Sequence, residues 1–382
     1  MAIPVSDINK TRVLREIWLN PGVSRIGIAS ALGLNKSSIT KITQELLDSN
    51  MVITGDEGIP GPQGGRKPVS LELNPDWGVF AGIEITESSL EISCIDFSGK
   101  EVAFLEKERT TDIANLSETA AYAVDILRKE TWNKKILGLG IGVPGMVDCN
   151  AGTILRSIPL KIQSDYDLTK ELTNLIPCPV FIENDANCCC WGEIITNKEP
   201  SGNDFLYVLG ESREHLKGDG TFIPGPGIGM GLALDNKVYH GPGFGAGEFK
   251  SILNKGDSEC QFSLSKEEMA RFFSDPAIRT QVMEELGRNV ALIANVLNLN
   301  KIVMGGFFHS FEKEWFKLMD SEIYKNHSYP ETRKISTVPS IFGKGAVSMG
   351  AAYLVIENFF NLSGRFDAKF IFKEKLDEIR TF

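Results

Sequence analysis

The stretch that decides the N-terminal fold runs Ser24-Arg25-Ile26-Gly27-Ile28-Ala29-Ser30-Ala31-Leu32-Gly33-Leu34-Asn35-Lys36-Ser37-Ser38-Ile39-Thr40-Lys41-Ile42-Thr43-Gln44-Glu45-Leu46-Leu47. Ser24 is a favourable helix N-cap, Ile28, Ala29 and Leu32 share one face, and Gly33 ends the helix in a tight turn. A further helix starts at about Asn35. It buries Ile39, Ile42, Leu46 and Leu47 and leaves Lys36, Ser37, Ser38, Thr40, Lys41 and Gln44 on its other faces. Apolar residues clamp such a helix to its neighbours while short polar and cationic side chains face outward, which is how a DNA recognition helix is built. Working outward, Val13, Leu14, Ile17 and Trp18 lay an apolar stripe along a preceding helix that stops at Pro21-Gly22. On the other side, Met51-Val52-Ile53-Thr54 and Val69-Ser70-Leu71-Glu72-Leu73 are β-prone runs that pair as a wing. The tip between them ends in Gly64-Gly65-Arg66-Lys67-Pro68. An Arg on such a tip can enter a narrow, negative minor groove. Each feature alone is commonplace; their order predicts a winged helix-turn-helix over residues 1–74 that binds double-stranded DNA.

The charge is distributed to match. The whole chain of 382 residues carries a net charge of -10, but residues 1–74 hold 8 Lys/Arg against 7 Asp/Glu, and the remainder 32 against 43. The acidity therefore belongs to the larger C-terminal part and does not argue against nucleic acid at the head. A hydrophobic content of 42% and a charged content of 24% fit a globular chain. The longest weakly polar run, residues 136–147, is interrupted by Gly138, Gly140, Gly142 and Pro144, and neither a membrane span nor a signal peptide is expected. Seven cysteines, three of them consecutive at Cys188, Cys189 and Cys190, do not form a secreted disulfide framework. A cytoplasmic location is expected, with these three as small buried residues.

Beyond Asn74-Pro75-Asp76 the pattern changes to strands joined by turns and alternating with helices. Residues 79–85 and 90–96, with a turn at Phe97-Ser98-Gly99-Lys100, make one hairpin-led unit. Residues 205–209 and 228–234, with a turn at Asp235-Asn236-Lys237, lead a second. Two copies predict a duplicated α/β domain with a central cleft suited to a small ligand.

Four stretches carry a more specific likeness: Gly140-Ile141-Gly142-Val143-Pro144-Gly145-Met146-Val147-Asp148, Glu183-Asn184-Asp185-Ala186-Asn187, Gly225-Pro226-Gly227-Ile228-Gly229 and Gly245-Ala246-Gly247-Glu248. With the cationic tip, they make the chain resemble winged-helix members of the ROK family of repressors and sugar kinases. The resemblance implies an actin-like, hexokinase-like (ribonuclease H-like) α/β fold, with one half over residues 75–183 completed by a last helix from about residue 345, and the other half over 184–344. It also implies a sugar site at Gly145, Asn184, Asp185 and Glu248. The chemistry agrees, because sugar hydroxyls are donors and acceptors together and need convergent amides and carboxylates. The ordinary alternative, that Asn184-Asp185 caps the following helix, stays open here.

Kinases of the family carry a first phosphate loop reading Asp-x-Gly-Gly-Thr-Lys. The corresponding stretch here is Glu84-Ile85-Thr86-Glu87-Ser88-Ser89, with both glycines and the lysine replaced. A carboxylate such as Glu87 about 4 Å from a phosphate charge costs roughly 4 kcal/mol at an effective dielectric of about 20. Pro226 replaces a hydroxyl residue in the second phosphate loop, and residues 211–224 read as an insertion before it. The family also often holds a structural zinc through a His after the Gly-Glu pair and a Cys cluster. Ser251 stands at that position with only Cys260 nearby, and the histidines at 215, 240, 309 and 327 show no metal spacing. The expectation is therefore a sugar-responsive transcription regulator, a repressor, acting as a homodimer or higher homo-oligomer with no cofactor, no metal and no enzymatic activity. The alternative is an active hexose or N-acetylhexosamine kinase, with Asp185 as catalytic base, carrying an accessory DNA-binding head.

Overall fold

The computed structural model describes residues 5–57, 69–131, 134–197, 204–216, 222–256, 260–331 and 335–361. In chain order the head contains α1 (Val5–Leu19), β1 (Val23–Ser24), α2 (Arg25–Leu32), α3 (Lys36–Asp48), β2 (Val52–Glu57) and β3 (Val69–Leu73). Ser24 caps α2 by accepting from Gly27 N at 3.2 Å, and Asn35 caps α3 by accepting from Ser38 N at 2.8 Å. Each cap satisfies an amide the helix start leaves bare. Val13, Leu14, Ile17, Ile28 and Ile39 are fully buried, so the three helices share one core. Arg25 Nε donates to Thr43 Oγ1 at 2.9 Å, and Lys10 pairs with Glu45 at 2.8 Å. Thr43 is buried, whereas Leu47 is only half-buried, so α3 turns a slightly different face inward than its leucines suggest. β1, only two residues long, pairs with β3, giving a three-stranded wing sheet of order β1-β3-β2. Trp18 faces away from the head core, toward Phe360 at 5.6 Å.

The remaining elements are β4 (Val79–Ile85), β5 (Ser89–Asp96), β6 (Glu101–Glu108), α4 (Leu116–Glu130), β7 (Ile136–Val143), β8 (Met146–Asp148), β9 (Thr153–Arg156), α5 (Leu168–Leu172), β10 (Val180–Asn184) and α6 (Asp185–Thr196). Then come β11 (Phe205–Leu216), β12 (Phe222–Leu234), β13 (Lys237–Val238), α7 (Lys266–Met269), α8 (Pro276–Leu297), β14 (Lys301–Gly306), α9 (Lys313–Lys325), β15 (Ser336–Pro339) and α10 (Ala346–Phe360). The duplication is visible in the sheets. One has the order β10-β7-β4-β5-β6 and the other β13-β12-β11-β14-β15, so in each the first strand lies between its hairpin partner and the fourth strand.

By internal contacts the chain forms two compact units. The first comprises residues 1–141, 167–182 and 351–382; the second comprises 142–166 and 183–350. The first is cored by β4 and β5 and by a nest of Trp77, Phe80, Phe97 and Phe359, with ring centroids 4.6 to 6.5 Å apart. The core of the second packs Leu206, Val208, Ile228 and Met230 of the sheet against Leu286, Val290 and Ala294 of α8. Asp275 caps α8 just before Pro276, and Asn298 ends it in the left-handed conformation. Residues 211–224, read above as an insertion, extend a hairpin: β11 and β12 stay in register from Phe205↔Ala233 to Leu216↔Phe222.

Candidate functional site

Within the second unit, Gly145, Asn184, Asp185 and Glu248 line one cavity of about 160 Å³, together with Arg156, Phe244 and Gln261. Asn184 ends β10 and caps α6, accepting from Asn187 N at 3.1 Å, while its Nδ2 donates to Gly145 O at 3.0 Å. It is therefore both the helix cap and a strut of the cavity wall. Asp185, buried on the first turn of α6, accepts from Ala186 N at 2.7 Å. Glu248 stands exposed beside a segment fixed by Met230 N donating to Gly247 O at 3.2 Å. Two glycines are required by space and by backbone. Gly145 has φ 115°, and a Cβ there would lie 2.3 Å from Arg156 O; Gly247 has φ 93°, and a Cβ would lie 1.9 Å from Met230 O. Gln261 braces β12, accepting from Ile228 N at 2.8 Å and donating to Ile228 O at 2.6 Å. Arg156 and Gln261 were not singled out from sequence. Arg156 sits at the end of a short strand, and Gln261 follows a Cys that drew attention only for metal, so neither carried a local signal.

The stretches compared above with phosphate loops are hydrogen-bonded onto themselves. Thr86 N donates to Ser89 O at 3.0 Å, and Thr86 Oγ1 accepts from Ser88 N at 3.3 Å and from Ser89 N at 2.9 Å. The turn is closed by its own side chain. Residues 225–229 are not a loop at all but the interior of β12, paired with β11 through Gly227↔Glu211 and Gly229↔Leu209. Amides alternate sides along a strand. On the edge away from β11, residue 226 is a proline, Ile228 N is held by Gln261, and Met230 N by Gly247 O. The other edge faces β11. A phosphate cradle needs free amides pointing together; here the amides of Thr86, Ser88 and Ser89 and those of Ile228 and Met230 already have acceptors within the chain.

Where the resemblance led one to look for zinc, side-chain amides hold the chain. Asn289 Nδ2 donates to Ser251 Oγ at 3.1 Å and its Oδ1 accepts from Ile252 N at 2.9 Å. Asn254 Nδ2 donates to both Cys260 O and Phe262 O at 2.8 Å. The three consecutive cysteines are buried, and burial, then Glu183 and Glu193, push the Cys190 thiol well above its ordinary pKa.

Sequence spacing missed a different cluster. His240 Nε2 lies 2.8 Å from Glu183 Oε2 and 3.5 Å from Cys149 Sγ, although 57 and 91 positions separate these residues from His240. Burial would lower the His240 pKa, but hydrogen bonds to Cys149 and Glu183 and the nearby charge outweigh it and raise the ring to about 10.

In the head, Lys36, Ser37, Thr40, Lys41 and Gln44 are exposed along α3 and Ser38 is half-buried beside its cap. Thr40 Oγ1 donates to Lys36 O at 2.8 Å and Gln44 Nε2 to Asp48 Oδ1 at 2.8 Å. Arg66 and Lys67 lie outside the described residues.

Residues 80–260 match the family model described as ROK family. This chain carries a ROK family domain. The xylose repressor of Caldicellulosiruptor bescii is 30% identical over 262 residues, a match that spans 67% of this chain and 61% of that relative's length. The xylose repressor of Bacillus spizizenii is 24% identical over 395 residues, covering 94% of this chain and 97% of the repressor. Among solved structures, a ROK family transcriptional regulator described as a homologue of the E. coli MLC protein covers 94% of this chain and 98% of its own. It does so at 20% identity and a TM-score of 0.72, a likeness of fold over the winged helix and both halves of the ROK body.

Proposed function

We propose that the chain is a sugar-responsive, DNA-binding transcription regulator, a repressor, whose kinase-like body binds a monosaccharide and performs no phosphoryl transfer. One observation carries this reading. Asn184, Asp185 and Glu248 converge on a cavity of about 160 Å³ that suits a single sugar ring, while the neighbouring β12 stretch is paired with β11 on one edge and held on the other through Ile228 N to Gln261 and Met230 N to Gly247 O. An intact sugar side with no phosphate cradle binds without transferring. The repressor names of the relatives make D-xylose the first effector to test. Gly145, Asn184, Asp185 and Glu248 are the sugar contacts, Lys36, Ser37, Ser38, Thr40, Lys41 and Gln44 the recognition-helix contacts, and Arg66 and Lys67 the wing contacts. The regulator works in the cytoplasm as a homodimer or higher homo-oligomer, and the sugar acts through its differential affinity for two arrangements of the DNA-binding heads.

A coupled ADP-release assay with MgATP and a panel of pentoses, hexoses and N-acetylhexosamines tests the enzymatic half of the reading. The expected result is no sugar-dependent ADP above background. Sugar-dependent turnover that disappears in Asp185→Asn would instead establish the kinase with an accessory head.

A further inference from the structure

We propose that Cys149, Glu183 and His240 form a zinc-binding site, with a fourth coordination position left to water. One sulfur, one nitrogen and one oxygen converge here, their ligand atoms all within 4.8 Å of one another. With Zn–S of about 2.3 Å and Zn–N of about 2.0 Å, a tetrahedral site sets S···N at roughly 3.5 Å and N···O at about 3.4 Å. The observed Sγ···Nε2 separation is 3.5 Å, and the Nε2···Oε2 separation of 2.8 Å is that of a hydrogen bond whose proton a metal replaces.

The surroundings are those of a held ligand set. Glu183 is 1% exposed, and its other oxygen, Oε1, accepts from Asn184 N at 2.9 Å and Asn187 Nδ2 at 3.2 Å, which aims Oε2 at the ring. Cys149 lies in the β8–β9 turn, which Asp148 closes by accepting from Asn150 N and Ala151 N at 2.9 Å. The mixed donor set suits zinc and excludes the hard cations, which avoid thiolate. Binding forms bonds from Sγ, Nε2 and Oε2 to the ion. The Cys149 thiol proton and the His240 Nε2 proton pass to solvent, and nothing is oxidised or reduced. The three ligands also lie within four positions of cavity-lining residues: Cys149 after Met146 of β8, Glu183 before Asn184, and His240 before Phe244.

The test uses the metal-stripped full chain titrated with Co²⁺ and then Zn²⁺, with neither sugar nor DNA, so its failure leaves the regulatory reading untouched. One Co²⁺ per chain is expected, with a thiolate-to-cobalt charge-transfer band in the near ultraviolet that stoichiometric Zn²⁺ bleaches. The band should vanish in Cys149→Ser, and His240→Gln should weaken Zn²⁺ binding by about tenfold or more. In the wild-type chain, Zn²⁺ should also slow alkylation of Cys149 followed by peptide mapping, a readout that needs no variant to fold. Absence of saturable binding at one equivalent, a band that survives Cys149→Ser, or unchanged Cys149 alkylation would overturn the site.

Discussion

Gly247 shows how narrowly the candidate site is specified. Its φ of 93° and the 1.9 Å approach of Met230 O leave no place for a Cβ, and the residue stands beside Glu248. Gly247→Ala combines the strain of a left-handed side chain, about 1–3 kcal/mol, with a backbone clash. We expect a lower urea midpoint and loss of sugar-dependent stabilisation, whereas an unchanged midpoint would mean that the segment from 241 to 248 relaxes freely. His240 makes a prediction in pH. Its folded pKa of about 10 lies above the ordinary 6.5. A raised pKa means that the protonated ring stabilises the fold fully below pH 6.5, and that this contribution falls away as pH rises toward 10. Unfolding of the metal-free protein across that window should show a pH-dependent loss that His240→Gln lacks.

At the scale of elements, α3 is the one whose surface the proposed DNA binding would use. Its core side is fixed by Ile39, Ile42 and Leu46, and Lys41 and Gln44 remain exposed. Lys41→Ala and Gln44→Ala should therefore keep the thermal midpoint. Both should weaken operator binding measured by fluorescence anisotropy at fixed salt, and losing Lys41 should lower the salt slope by about one if it touches phosphate. Full affinity in both variants would remove α3 from the interface. The head was legible because its signals are local: Ser24 caps α2 as read, Gly33 ends it, α3 starts just after Asn35, and Val13, Leu14, Ile17, Ile28, Ile39, Ile42 and Leu46 are buried as their spacing predicts, whereas Trp18, Leu32 and Leu47 are only half-buried. β1 was not, since two residues carry no period and form a strand only because β3 lies alongside. The hairpin was read as loops and an insertion because glycines and prolines mark turns when nothing pairs with them, and here β11 pairs with residues 225–229 throughout. Asn184, Asp185 and Glu248 were legible through motifs. Cys149 and His240 were not, because only the tertiary fold brings them to Glu183.

For the whole molecule, two repeats of one sheet order have diverged in what they ask of their amides. In the second repeat, residues 225–229 are paired with β11 and Ile228 N is held by Gln261, and in the first the Glu84–Ser89 turn is closed by Thr86, which is what the proposed loss of phosphate binding rests on. The same ROK family domain, joined to a winged helix, holds the cavity of about 160 Å³ lined by Asn184, Asp185 and Glu248. The most direct test of that account is a thermal-shift titration of the full chain with D-xylose and related monosaccharides, with and without MgATP. The account predicts that one sugar raises the unfolding midpoint, with stabilisation of about 2.7 kcal/mol at one hundred times its Kd. It also predicts that MgATP adds nothing, with or without the sugar. A midpoint that no monosaccharide raises, or that MgATP raises, would contradict it.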